Sequence, residues 1–171
     1  MKAILMAMLL LGTVLHASPS VPTENVPVCP ADTLTQRFQT FKGTLPLPMT
    51  GKCYPRRHTL TKGRGIHLKG TPGAFAVAVA DGIVASVFTY NGMRNVLLRH
   101  GHYLTMYCNL DSCLVSQGDS VTAGGRLGTV HTDRDDGTLL YFEMRKERTP
   151  LDPFEWLYPG KLLRQDTKAV P

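Results

Sequence analysis

Six histidines and four cysteines supply the imidazole and thiol groups that this 171-residue chain could offer a zinc ion. A catalytic zinc ion takes about three protein ligands and keeps one position open for a water that becomes the nucleophile. His100 and His102 flank a predicted turn, and His58 and His131 fall in predicted loops. None of them pairs with another at ligand spacing, so the histidines predict neither bound zinc nor hydrolysis.

The cysteines have a different use in an oxidising compartment, where they can form disulfides. Four cysteines allow three pairings, and the sequence does not choose among them. The sequence-local expectation is Cys108–Cys113 together with Cys29–Cys53. A zinc site is disfavoured because the chain has no Cys-x-x-Cys, and the four-residue gap between Cys108 and Cys113 is not a zinc-knuckle spacing.

Residues 137–146 have the composition of a β-strand, rich in aromatic and long apolar side chains. A period of two places Leu139, Tyr141, Glu143 and Arg145 on one face and the apolar residues at 140, 142 and 144 on the other. The first face is predicted to be exposed to solvent, yet it begins with a leucine and a tyrosine, which are unusual on a solvated strand face. We therefore expect something to bind or cover it.

The first residues are typical of a secretory signal peptide, which we predict to span residues 1–17. A basic start is followed by the apolar run 3–15 and then by small residues. The run is shorter than the roughly 20 residues that a membrane span needs, so no stable span is expected. The first cysteine, Cys29, is not at the cleavage point, which argues against lipidation. The predicted location is the periplasm or cell envelope.

The formal net charge is +6, and part of the excess lies between residues 51 and 70, which contain six basic residues and no acid. Two interpretations remain open: a patch for an acidic protein or an anionic envelope polymer, or a solvated basic loop. Because the protein is predicted to be exported, nucleic acid is not an expected partner.

Most of the chain is predicted to consist of short strands and turns, which favours an all-β, mainly antiparallel fold, a partly open barrel or sandwich. One short helix is expected over Thr33–Phe41, capped by Asp32. Asp81-Gly82 predicts a hairpin turn between strands 74–79 and 83–88. Trp156 is expected to pack back on the sheet.

Eight segments of the chain occur together in an order that is distinctive of one family. They are Phe41-Lys-Gly-Thr-Leu-Pro, Gly65-Ile66, Ala78-Val-Ala-Asp-Gly-Ile-Val84, Asn95-Val-Leu-Leu-Arg-His-Gly101, Tyr107-Cys-Asn-Leu110, Gly118-Asp-Ser-Val121, Gly125-Arg-Leu-Gly128 and Leu140-Tyr-Phe-Glu143. Together they resemble the LytM domain, the fold of lysostaphin-type zinc endopeptidases of bacterial cell walls. The resemblance covers residues 41 to about 157.

In active members of that family, a His-x-Gly-x-Asp segment and a His-x-His strand hold zinc, and the histidine of a Tyr-x-His-Leu strand assists the bound water. The resemblance places Gly63 and His67 at the first pair of ligand positions and Asn109 at the assisting histidine. Leu139 and Tyr141 stand at the two positions of the His-x-His strand. Only His67 could still act as a ligand, so the resemblance implies no zinc, no other cofactor and no catalysis.

The pattern resembles the degenerate LytM domains of the EnvC-type murein hydrolase activators, which take part in cell division. The resemblance implies a noncatalytic protein that binds an N-acetylmuramoyl-L-alanine amidase, a cell-wall enzyme, through the vacated metal groove. EnvC-type proteins carry a long coiled coil before this domain, whereas residues 18–40 show no heptad run. The groove positions are Arg64, His67, Asn109, Leu139, Tyr141 and Arg145.

The predicted organisation is a signal peptide (1–17), a leader with a short helix (18–40), the degenerate LytM domain (41–160) and a tail (161–171). Two other functions remain open: a noncatalytic peptidoglycan-binding or scaffold protein, favoured by the basic segment, and a zinc-dependent peptidoglycan endopeptidase, favoured by the fold. A biotinyl- or lipoyl-type carrier domain is excluded, because residues 85–117 contain no lysine to carry the group.

Overall fold

Antiparallel strands form most of the structure. A computed structural model describes residues 31–57 and 65–157 of the chain. Within these ranges there are one α-helix, eleven strands and one 3₁₀ helix. They are α1 (Ala31–Thr40), β1 (Tyr54–Arg57), β2 (Gly65–Gly70), β3 (Phe75–Val77), β4 (Gly82–Tyr90), β5 (Met93–His100), β6 (Tyr103–Cys113), β7 (Ser120–Val121), β8 (Arg126–Val130), β9 (Thr132–Asp133), β10 (Gly137–Lys146), β11 (Thr149–Leu151) and the 3₁₀ helix Pro153–Glu155.

The main sheet is open and runs in the order β1-β2-β10-β6-β5-β4-β7, and β3, β8, β9 and β11 pair onto it from outside this path. Neighbouring strands along the path are antiparallel. The predicted all-β, mainly antiparallel fold is therefore confirmed. Within the described residues no helix has the length and apolar character needed to cross a membrane.

Strand β10 lies inside the sheet, between β2 and β6, and has the predicted bounds. Leu140, Phe142 and Met144 are buried in the core, whereas Leu139, Tyr141 and Arg145 are partly exposed on the other face. The predicted alternation of faces is confirmed at these positions. Glu143 is the exception, because it lies on the outer face and is only 8% exposed.

Helix α1 packs against a buried histidine at one end of β5. The ring of Phe38 stacks on His100 with 4.6 Å between centroids, and it also contacts Tyr103 and Trp156. His100 is fully buried, and its ring nitrogens are bonded to the carbonyl oxygen of Asp81 at 2.7 Å and to the hydroxyl of Thr105 at 2.9 Å. The docking helix and the packing of Trp156 are confirmed, although Asp32 lies in the first turn of α1 instead of capping it.

The hairpin predicted at Asp81-Gly82 is wrong. Strand β3 pairs with β8, while β4 pairs with β5 and β7. Gly82 is needed for a close approach, since a Cβ there would lie 2.7 Å from the Nδ1 of His100. Asp81 accepts a hydrogen bond from the backbone N–H of Ala123 at 2.9 Å. The Asp-Gly pair therefore ties separate parts of the chain together and does not reverse its direction.

The predicted Cys108–Cys113 disulfide is also wrong, because both thiols are free. The two residues lie on the same strand, β6, five positions apart. At roughly 3.3 Å per residue their Cα atoms are about 16 Å apart, far beyond the reach of a disulfide. Cys53 is buried and its thiol lies 3.9 Å from the carbonyl oxygen of Met49. Cys29, the predicted signal peptide and the predicted tail lie outside the described residues.

Acid should destabilise this fold through His100. Burial lowers its pKa from the ordinary 6.5 to about 4. As the pH falls, the unfolded chain therefore binds the proton first, and the stability present above pH 6.5 is lost progressively towards pH 4. Between pH 7.5 and 5 this one group should reduce the free energy of unfolding by about 2 kcal/mol.

Urea unfolding at the two pH values measures this difference. His100→Gln should have a smaller pH dependence than the wild type. Equal pH dependence of the free energy of unfolding in the wild type and in His100→Gln would contradict the assignment of this effect to His100.

Candidate binding groove

The outer face of β2, β10 and β6 brings the predicted groove residues together. Tyr141 on β10 lies directly opposite His67 on β2 and opposite Cys108 on β6. Two residues further along β10, Glu143 lies between Gly65 and Met106. The antiparallel register thus joins side chains that are far apart in the sequence into one surface.

A buried carboxylate links the two most prominent side chains of this surface. The hydroxyl of Tyr141 donates to Oε2 of Glu143 at 3.1 Å, and Nε of Arg145 donates to Oε1 at 2.8 Å. The Glu143 side chain is 10% exposed and that of Arg145 is 42% exposed. A buried carboxylate is costly unless it is paired and hydrogen-bonded. Glu143 meets this condition by fixing Tyr141 and Arg145 two positions to either side, and we call these three residues the Glu143 clamp.

The ring of Tyr141 is held from the β2 side as well. It meets the ring of His67 edge-on, with centroids 5.3 Å apart. It also covers Gly65, where an added Cβ would come within 2.5 Å of the Tyr141 hydroxyl. Burial, reinforced by the Glu143 carboxylate, raises the pKa of Tyr141 to about 12. The phenol therefore stays protonated at neutral pH and acts as a hydrogen-bond donor.

Cys108 lies beside Tyr141 but has no reactive character. Burial, together with the Glu143 carboxylate, raises the pKa of its thiol to about 12. The thiolate, and not the thiol, is the nucleophile and metal ligand. At neutral pH Cys108 is therefore a small apolar part of the surface.

Asn109 and Leu139 form the other end of the groove. Asn109 has a φ of 72°, a left-handed conformation that asparagine tolerates better than most residues. Its side-chain amide donates to the backbone carbonyl of Leu139 at 2.6 Å. Asn109 thus fastens β6 to β10 at the position where active relatives of the fold are expected to carry a histidine.

These residues do not fit a zinc ion. Leu139 offers no donor atom, and Tyr141 carries a protonated phenol that already donates to Glu143. The described part of the chain contains no group of three or more His, Cys, Asp or Glu side chains placed to hold a metal ion. Of the predicted positions, only His67 supplies a nitrogen that zinc prefers, and one imidazole does not make a zinc site.

An apolar cavity of about 310 Å³ continues the groove from the clamp. Glu143 and Arg145 line one side, and four apolar residues line the rest: Phe88, Leu97, Leu104 and Met106. The sequence prediction missed this extension. The signal was the alternation in β6, where buried Tyr103, Thr105 and Tyr107 separate partly exposed Leu104 and Met106.

Five of the six predicted groove residues are described: His67, Asn109, Leu139, Tyr141 and Arg145. The structure places all five on the neighbouring strands β2, β6 and β10. Two of them, Tyr141 and Arg145, belong to the Glu143 clamp. The sixth, Arg64, lies outside the described residues. Their binding role remains a prediction, and Glu143 and Gly65 are additions that come from the geometry.

Residues 61–153 match the family model described as peptidase family M23, and the chain belongs to that family. It is 31% identical over 99 residues to the murein hydrolase activator NlpD of Salmonella dublin, a match that covers 55% of this chain and 26% of that protein. It is 30% identical over 118 residues to the uncharacterized lipoprotein YgeR of Escherichia coli, covering 66% of this chain and 46% of that protein. The chain thus spans less than half the length of these curated relatives.

Among solved structures, the fold matches a zinc-containing peptidase from Vibrio cholerae. The TM-score is 0.51 and the sequence identity is 26%, over 70% of this chain and 40% of that one. The LytM-type fold predicted from the sequence is therefore confirmed.

The Glu143 clamp predicts a measurable coupling between its two charged members. In a double-mutant cycle with Glu143→Ala and Arg145→Ala, we expect a coupling of about 1 kcal/mol in the free energy of unfolding, because the carboxylate is buried. The matched control is the exposed pair Lys42–Glu155, at 3.2 Å with side chains 55% and 61% exposed. That pair should couple by about 0.5 kcal/mol or less. Equal coupling in the two pairs would show that Glu143 and Arg145 form an ordinary surface contact.

Proposed function

We propose that this protein is a noncatalytic activator of a peptidoglycan amidase, an N-acetylmuramoyl-L-alanine amidase, which it binds through the groove around the Glu143 clamp. The observation that carries the proposal is the replacement of zinc ligands by a fixed contact surface. Where active relatives are expected to hold metal, Leu139 offers a methyl-rich surface and Tyr141 a phenol locked to Glu143. Among the described residues no group of three or more His, Cys, Asp or Glu side chains is placed to hold the metal of a hydrolase.

The composition of the surface suits protein recognition. Tyrosine and arginine are the side chains most often found at the energetic centres of interfaces. Because Glu143 holds both in place before binding, little conformational entropy is lost when a partner docks. An apolar floor beside them supplies area that can be removed from water.

The similarity to NlpD supports this proposal, since that relative is named a murein hydrolase activator. The share of NlpD that is matched is 26%, so the partner and the activity of this protein are proposals. An exported, envelope-associated location agrees with the signal peptide predicted over residues 1–17 and with the name lipoprotein given to YgeR. We propose a role in cell-wall remodelling during division.

Two substitutions test the groove directly. Tyr141→Ala and Arg145→Ala should fold but bind the amidase at least about tenfold more weakly, since both remove side chains of the interface centre. Tyr141→Phe keeps the aromatic ring and should lose less affinity for the amidase than Tyr141→Ala. Biolayer interferometry with the immobilised amidase measures the affinity, and circular dichroism confirms folding.

Arg134→Ala is the matched control, because Arg134 is an exposed arginine in the turn between β9 and β10, at the opposite end of β10 from Arg145. It should bind like the wild type. Wild-type affinity in the Tyr141→Ala and Arg145→Ala proteins would place the interface elsewhere.

A zinc-dependent peptidoglycan endopeptidase is the second candidate, favoured by the likeness to the zinc-containing peptidase. Metal analysis separates the two functions. We expect the purified protein to contain well below one equivalent of zinc after dialysis against zinc-containing buffer, because His67 is the single imidazole among the described groove residues. Near-stoichiometric zinc that is lost in His67→Ala would contradict the activator proposal.

A further inference from the structure

The apolar cavity beside the Glu143 clamp is flanked by two arginines. In the register of the sheet, Leu104 on β6 lies opposite Arg99 on β5 and opposite Arg145 on β10. With strands about 4.8 Å apart, the backbones of the two arginines are separated by about 10 Å. Leu104 therefore lies between the two arginines on this face of the sheet.

All three side chains lie on the outer face. Leu98 and His100 are buried on either side of the exposed Arg99. Tyr103 and Thr105 are buried on either side of the partly exposed Leu104. The strand alternation thus directs these residues away from the core, onto the face of the sheet that carries the cavity.

The charges at the cavity are not balanced. Arg99 has no ion-pair partner among the described residues, and the single ion pair of Arg145 there uses Nε. Both amino groups of Arg145 can still donate hydrogen bonds. Among the described residues Glu143 is the one acid that lines the cavity, and Arg145 already neutralises it. One positive charge is therefore left over beside an apolar surface that includes Phe88, which is 40% exposed.

The strands that carry Leu97, Leu104 and Met106 are paired on both sides. Strand β5 lies between β4 and β6, and β6 lies between β5 and β10. An extended peptide binds by adding a strand to an open sheet edge, which β5 and β6 do not offer. A helix carries its own backbone hydrogen bonds and needs only side-chain contacts.

We infer that the cavity formed by Phe88, Leu97, Leu104 and Met106 receives the apolar stripe of an acidic amphipathic helix, whose carboxylates pair with Arg99 and Arg145. The inference rests on the proposed function in taking the occupant to be a segment of the partner protein. It adds the chemistry of that segment and extends the interface beyond the residues predicted from the sequence. Leu97, Leu104 and Met106 supply the apolar floor, and the arginines select negative charge.

Two labelled 18-residue helical peptides test the charge selection. They share a leucine and alanine stripe and differ in carrying glutamate or lysine along its edges. In fluorescence anisotropy titrations with the mature protein, the glutamate peptide should bind at least about tenfold more tightly than the lysine peptide. Equal affinity for the two peptides, or no binding of the glutamate peptide, would overturn the inference.

Variants locate the site. Met106→Glu should weaken the glutamate peptide about tenfold or more, because it places a charge in the apolar floor. Arg99→Ala should weaken it severalfold, and Arg99→Glu should shift the preference toward the lysine peptide. Arg134→Ala should bind both peptides like the wild type. Unchanged peptide affinity in Met106→Glu and Arg99→Glu would show that the peptide does not bind at this cavity.

The outcomes separate this inference from the amidase proposal. If the protein prefers the glutamate peptide but does not bind the amidase, the acidic-helix site stands and the amidase is not the partner. Amidase binding that needs Tyr141 and Arg145 but tolerates Met106→Glu and Arg99→Glu would retain the activator and remove the extended site.

Discussion

The structure around the groove depends on one buried carboxylate. Glu143 lies on a face of β10 that is otherwise partly open, and it is nevertheless almost fully shielded from water. Such a group is tolerated only with partners, and Tyr141 and Arg145 provide them. The same bonds fix the two side chains best suited to recognition. A requirement of stability therefore produces a surface that is organised before any partner arrives.

Direct side-chain contacts join the strands around the groove. The side-chain amide of Asn109 donates to the backbone carbonyl of Leu139 and joins β6 to β10. Gly65 leaves room for the Tyr141 ring at a position where a side chain would collide with it. These contacts help to fix the spacing of β2, β10 and β6. On the far side of the sheet, Phe38 and the buried His100 anchor helix α1 to the same framework.

Local sequence patterns correctly predicted the structural features that depend on strand periodicity and residue composition. The bounds of β10, its two faces and the docking of Trp156 follow from alternation and apolar character, and all are present. The ordered segments of the LytM resemblance also predicted the family.

The pairing of strands depends on long-range register, which local patterns do not contain. The Asp-Gly pattern at Asp81-Gly82 therefore wrongly predicts a hairpin turn. The two thiols of β6 were paired because they are close in sequence, although an extended strand keeps them apart. For the same reason, no local pattern could show that Leu104 lies between Arg99 and Arg145.

The central claim is that this groove regulates an enzyme and does not itself cut peptidoglycan. Dye release from covalently labelled sacculi measures this most directly, with the protein alone, the purified amidase alone and the two together. The account predicts no release by the protein alone, and release by the mixture well above that of the amidase. Release by the protein alone, or no increase in the mixture, would contradict it.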